Sequence, residues 1–208
     1  MSETDESNLN AAEDATPVRK RPRPGERRQQ ILQTLASMLE QPGAERVTTA
    51  SLAGKIGVSE AALYRHFASK AHMFEGLIDF VDQSVIGLIR QVTDREPAGP
   101  NQAARIVALL LQFSEKNPGM CRVMTGDALV LEHERLQERI NLLFDKIEAQ
   151  LRQSLREANA VSSTPTVDTQ VQASVLVAFM QGRLQRFVRS GFKRLPSEHL
   201  QAALARVL

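Results

Sequence analysis

The chain has 208 residues, a formal net charge of +2, one cysteine and no tryptophan. That length suffices for one or two compact modules with substantial cores, and a lone Cys121 excludes an intramolecular disulfide framework. No apolar run approaches the ~20 residues of a membrane span, and the acidic start lacks the basic and apolar regions of a secretory signal, so a cytoplasmic location and no membrane partner are expected.

Residues 1–25 read as a leader whose charge reverses along its length. Glu3, Asp5, Glu6, Glu13 and Asp14 precede Pro17 without a base among them, whereas Arg19, Lys20, Arg21, Arg23, Arg27 and Arg28 come soon after it. Pro17, Pro22, Pro24 and Gly25 interrupt any helix, which predicts a disordered leader in the free protein. Its basic part could lie along phosphates or enter a minor groove, or simply keep the chain solvated. From Glu26 to about Glu40, Ile31, Leu32, Leu35, Met38 and Leu39 fall on one helical stripe, which stops at Gln41-Pro42-Gly43.

Residues 48–70 then spell out two short helices and a tight turn. A hydroxyl at Thr48 or Thr49 suits an N-cap, and Leu52, Ala53 and Ile56 share one face of a helix ending near Lys55 or Ile56. Gly57 permits the positive φ of a helix C-terminus. Val58 can plug the angle, and Ser59 can cap a second helix, predicted over Glu60 to Phe67. Leu63 and Phe67, four apart, face inward, leaving Ala61, Ala62, Tyr64, Arg65 and His66 outward. Two alanines keep the start of that helix slim enough to approach base edges, because recognition helices present their N-terminal residues in the major groove. Tyr64, His66 and Lys70 are donors suited to phosphates, contacts that set register more than sequence preference.

Ser69 can cap a long helix carrying Met73, Phe74, Leu77, Ile78, Val81, Val85 and Leu88, which ends between Asp94 and Pro100. Pro100 suits a first helical turn, and Ile106 to Phe113 is apolar nearly all round before a break at Asn117-Pro118-Gly119. Asp127 to Ala158 reads as one long amphipathic helix through Leu131, Leu136, Ile140, Leu143, Ile147, Leu151 and Leu155. Ser162-Ser163-Thr164-Pro165 marks a loop. Asp168 to about Ser190 is a further helix with Val171, Val175, Leu176, Phe179 and Phe187, where Gly182 would allow close helix approach, and Pro196 to Leu208 closes the chain with a short helix.

Catalytic readings find no constellation. His66, His72, His133 and His199 are scattered, Cys121 has no second cysteine at zinc spacing, and no phosphate-binding loop, dinucleotide fingerprint or nucleophile elbow is present. No enzyme activity, cofactor or metal is expected.

TTASLAGKIGVS followed by LYRHFASK resembles the DNA-binding head of the TetR-type regulators, over roughly Glu26 to Leu77. The resemblance implies an all-α fold with a three-helix helix-turn-helix head over 26–75 and a helical dimerisation and effector bundle over 76–208. It further implies a homodimer, alone or in pairs, on a palindromic operator in double-stranded DNA, with Thr48, Thr49, Ser59, Ala61, Ala62, Tyr64, Arg65, His66 and Lys70 at the interface. Two-fold symmetry would let paired heads read half-sites about one turn, ~34 to 36 Å, apart.

A narrower likeness extends into the body. VSEAALYRHFASKAHMFEGLIDF, the run LLLQFSEKNPGMCRVMTGDALVLEHERLQERINLLFDKIEAQLRQSLRE and RFVRSGFKRLP are similar to the nucleoid occlusion branch of the TetR-type proteins. That branch binds chromosomal DNA and antagonises the division protein FtsZ, which implies a nucleoid-associated protein. It holds the C-terminal tail of FtsZ in a groove where the long connecting helix meets the next. Carried over, the groove residues are Phe80, Leu109, Lys116 and Asn117, although Gln112 stands where a smaller residue is expected. For Phe80 and Leu109, ordinary core packing is the simpler expectation. The alternative function is a ligand-responsive repressor with an enclosed apolar pocket in the body.

Overall fold

Three long helical patterns and several shorter ones have to share one core, and the way they do so fixes where the head sits. The structure, a computed structural model, describes residues 25–41, 46–159 and 168–208. The leader up to Pro24 and the loop at 162–165 lie outside the described residues. All regular structure among the described residues is helical: α1 (Glu26–Leu39), α2 (Thr49–Ile56), α3 (Glu60–Tyr64), α4 (Lys70–Thr93), α5 (Pro100–Lys116), α6 (Pro118–Met124), a single 3-10 turn at Asp127–Leu129, α7 (Glu134–Asn159), α8 (Thr169–Arg189) and α9 (Leu200–Leu204). The all-α expectation holds.

Local chemistry explains the boundaries. Ser69 caps α4 by accepting from the backbone N–H of His72 at 3.2 Å, and Asp168 caps α8 by accepting from Gln170 N at 2.9 Å. Pro100 occupies the first turn of α5, where its missing N–H removes no helical bond. The apolar stripes then meet in one continuous core. Ile31, Leu35 and Leu39 of α1, Met73 to Val92 of α4, Ile106 to Leu111 of α5, Leu136 to Leu155 of α7 and Leu176 to Phe187 of α8 all contribute buried side chains to it. Each fully buried Leu, Ile or Phe is worth about 1.5–3 kcal/mol before entropy is counted. Helix α4 crosses from head to body, α1 rests on α2, α4 and α6, and α7 packs along α8.

Four features depart from the sequence expectations. Asn117-Pro118-Gly119, read only as a break, opens α6 over Pro118–Met124. Asn117-Pro118 is a start signal as well as a stop, because proline suits a first turn. Helix α7 begins at Glu134 rather than Asp127, and Leu131, placed on its stripe, lies in the preceding turn with φ 66° and its side chain exposed. Val171 and Val175 of α8 are exposed, and a Cβ on Gly182 would have no neighbour within 4 Å beyond its own stretch of helix. The last helix is confined to Leu200–Leu204 between turns.

Gly119 joins the two halves. A methyl group there would lie 2.2 Å from the backbone oxygen of Ala36 in α1, so α6 touches α1 main chain to main chain. Nearby, Arg122 donates to Leu39 O at 3.4 Å and to Asp127 Oδ2 at 2.6 Å. Because backbone cannot swing aside as a flexible side chain would, Gly119→Ala is expected to lower stability by about 1–3 kcal/mol. A urea melt with an unchanged midpoint would show that α1 and α6 separate without cost.

Candidate nucleic-acid interface

The helix-turn-helix is built from reciprocal caps. Thr48 Oγ1 accepts from Ser51 N at 3.1 Å and Ser51 Oγ accepts from Thr48 N at 3.1 Å, which satisfies two otherwise unpaired donors. Ser51, missed in the sequence reading, supplies the second half of this box. Gly57 ends α2 in the left-handed region at φ 77°, where glycine carries no side-chain penalty. Ser59 starts α3 by accepting from Ala62 N at 3.3 Å. Thr49 Oγ1 donates to Glu60 Oε2 at 2.5 Å, tying the first turns of α2 and α3 together.

Helix α3 is shorter than predicted, ending at Tyr64 with Arg65 as its C-cap. His66 and Phe67 form a closing turn in which both backbone amides donate to Leu63 O, at 2.9 and 3.1 Å. Leu63 and Phe67 are buried as expected, while Ala61, Tyr64, Arg65 and His66 are exposed and Ala62 is half-buried. The outward face is therefore two small residues followed by a phenol, a guanidinium and an imidazole. Arg28, counted with the basic arm, is committed elsewhere: it donates to His66 O at 2.9 Å and its guanidinium sits 4.1 Å from the centroid of the Phe67 ring.

Lys70 stands apart from this group. Its Nζ donates to Glu132 Oε1 at 2.5 Å and is largely covered, so it faces the body. Farther along α4, Phe80 is 49 % exposed, which removes core packing as its explanation. Leu109 is half-buried, Lys116 exposed and Asn117 half-buried. The Asn117 amide donates to Phe113 O at 2.7 Å, finishing α5. Leu109, Phe113 and Lys116, spaced four and three apart, share one edge of α5, as Phe80, Ser84 and Leu88 share one edge of α4.

The His, Cys, Asp and Glu side chains of the described residues include no group able to hold a metal, and burial pushes the Cys121 thiol up to about 12, despite a countering bond to Ser114. No helix among them is long and apolar enough to cross a membrane.

The capped α2 and α3, the slim helix start and the helical body define a TetR-type DNA-binding regulator. The tetR family of bacterial regulatory proteins matches residues 31–77, and a SlmA-like family described as "Tetracyclin repressor-like, C-terminal domain" matches residues 101–206. The fold agrees with solved structures of FadR from Bacillus subtilis in complex with stearoyl-CoA (TM-score 0.69, 14% identity, 86% of this chain and 96% of that one) and PfmR from Thermus thermophilus (TM-score 0.68, 20% identity, 86% and 96%). Nucleoid occlusion factor SlmA of Idiomarina loihiensis is 51% identical over 177 residues, 85% of this chain and 90% of the relative. The same factor from Vibrio cholerae is 51% identical over 173 residues, 82% and 88%. The chain belongs to the SlmA family. Membership places it among DNA-binding regulators rather than enzymes.

If the Ser59 cap holds α3 in place, Ser59→Ala is expected to cost about 1 kcal/mol, read as a lower midpoint in urea with an unchanged slope. A midpoint equal to that of the parent would show that packing alone sets the helix start.

Proposed function

We propose that this chain is a nucleoid occlusion factor: a homodimer that binds palindromic sites in chromosomal DNA and, once bound, antagonises FtsZ assembly over the nucleoid. The observation that carries the reading is the likeness to SlmA proteins across body as well as head, 51% identity over 85% of the chain. A TetR-type head alone is compatible with many regulators. A body that is similar to that of one factor narrows what the head serves.

In this reading Ala61 and Ala62 approach base edges, Tyr64, Arg65 and His66 donate to phosphates and set register, and Thr48, Thr49 and Ser59 lie at the same interface, where their hydroxyls hold the two helix starts. The dimer forms through α8. Val171, Ser174, Val175, Ala178 and Gly182 are exposed at helical spacing on its outer face, a small and apolar stripe that a second copy can cover. The FtsZ tail lies between the α4 edge of Phe80, Ser84 and Leu88 and the α5 edge of Leu109, Phe113 and Lys116. Apolar tail side chains would cover Phe80 and Leu109, Lys116 would meet an acidic tail residue, and the free oxygen of the Asn117 amide would meet its backbone. DNA acts as an effector by favouring a head arrangement in which this groove binds better. Linkage then requires FtsZ to favour DNA binding in equal degree. The repressor reading gains no specific support from the described clefts, such as one of about 380 Å³ lined by Ala104, Ala108, Leu200 and Leu204, which open to solvent.

Sedimentation of polymerising FtsZ with the protein tests the proposal: less polymer is expected only when a duplex recovered by selection is also present, and no loss in either condition would return the chain to the repressors. Lys116→Glu is expected to weaken FtsZ binding about tenfold, ~1.4 kcal/mol, and to leave duplex affinity unchanged; parallel loss of both would point to misfolding instead. On the head, Tyr64→Phe or His66→Ala should lower affinity alike for all sequences, whereas enlarging Ala61 or Ala62 should change which sequence is preferred. Gel-shift titrations indifferent to all four changes would remove the head assignment.

A further inference from the structure

Glu132 lies in the turn just before α7 and so belongs to the body, yet both of its cationic partners belong to the head. Its Oε1 accepts from Lys70 Nζ at 2.5 Å and from Arg46 Nε at 3.2 Å, and its side chain is only 7% exposed. Lys70 is the first residue of α4 and Arg46 lies a few residues ahead of α2, so the two segments that flank the reading pair converge on one carboxylate oxygen.

The backbone leading to Glu132 is held in an uncommon state. Leu131 has φ 66° and an exposed side chain, a left-handed conformation that non-glycine residues adopt only when their surroundings impose it. Burial of leucine does not explain it. Its carbonyl, however, accepts from Arg46 Nη2 at 3.3 Å, so the turn aims both the Leu131 carbonyl and the Glu132 carboxylate at the same guanidinium. The Lys70 ammonium is held from a second side by the Phe74 ring, 5.5 Å from its centroid. Exposed ion pairs contribute little, but a carboxylate withdrawn from water with two cations on one oxygen resists separation, since parting them leaves buried charge unmatched.

From this geometry we infer that Glu132 is a positioning residue for DNA recognition: by holding Lys70 and Arg46 it fixes the angle of the reading head on the body, and with it the distance between the two heads of a dimer. Lys70 is then a strut of the head rather than a phosphate contact. The inference rests on the proposed reading of the chain as a dimeric DNA binder. A two-headed reader with loose heads loses entropy at every binding event, and a rigid mount removes that loss for one half-site spacing while penalising the others.

The test compares Glu132→Gln, Lys70→Gln and Arg46→Gln on duplexes made from half-sites selected with the parent protein, with the separation changed one base pair at a time. All three variants are expected to shift in the same direction. They should bind the parent spacing about tenfold less tightly, treat the altered spacings more evenly, and keep the parent's salt dependence. If instead Glu132→Gln tightens binding while Lys70→Gln weakens it and lowers the salt slope by about one, Lys70 is a phosphate contact and the inference is wrong. An unchanged spacing preference in the variants, whatever their melting temperatures, also overturns it; Arg46, half exposed, serves as the variant least able to unfold the chain. A parent protein with no spacing preference at all would remove the dimer reading beneath.

Discussion

Phe67 is the contact on which the reading head depends. A helix of five residues cannot stand in water, because the first turn fixes several dihedrals for a single hydrogen bond, and α3 has only that length. Its place is set by the aromatic residue just beyond its C-terminus. The Phe67 ring is buried, one face lies under the Arg28 guanidinium of α1, and its edge passes Gly76 of α4, where an added Cβ would come within 3.5 Å of it and 3.0 Å of Leu32. One aromatic side chain therefore gathers three helices. The bond from Arg28 to His66 O closes the same corner.

That corner is closely packed, and so is its attachment to the body. Gly119 brings α6 against the main chain of α1, Arg122 reaches Leu39 O, and α4 runs without interruption from Lys70 to Thr93. On the far side of α4 a row of ion pairs continues the seam with α7: Glu75 with Arg135, Asp79 with Arg139 and Asp82 with Lys146. Each pair is partly solvated and individually weak, but together the three hold the register of two long helices. A load placed on the head is then transmitted as a movement of whole helices rather than absorbed in a loose linker.

The parts of this design that are legible in the sequence are those governed by neighbours in the chain. Thr48, Gly57, Ser59 and Ser69 act on amides or dihedrals within a few residues of themselves, and cap rules identify them. Helix periodicity likewise finds the buried faces of α4 and α7. It fails where an apolar residue serves something other than this chain's core: Leu131, in a strained turn, fits the α7 stripe by spacing alone, and Val171 and Val175 group with the buried residues of α8 although they face outward. Pro118 is ambiguous because the same residue can stop one helix and start the next. The roles of Arg28, Lys70 and Gly119 are not legible at all. Their partners, His66, Glu132 and the main chain of Ala36, are remote in sequence, and no local pattern marks a cation for a carboxylate rather than for a phosphate.

Helix α7 connects the two ends of the proposed mechanism. It starts two residues after Glu132, has 26 residues and so extends ~39 Å at 1.5 Å per residue, packed along α8 for much of its course. In the proposed dimer the outer stripe of α8 fixes one protomer against the other, while the turn before α7 fixes the head. Small angular changes at the dimer face are then magnified along a stiff rod before they reach the DNA. Because such a rod works in both directions, DNA that holds two heads at one separation also restrains the body, where α4 and α5 meet. The groove proposed for FtsZ lies on helices already clamped to that rod, so DNA dependence requires no disordered segment and no enzymatic step, only two packed arrangements whose balance the bound duplex alters.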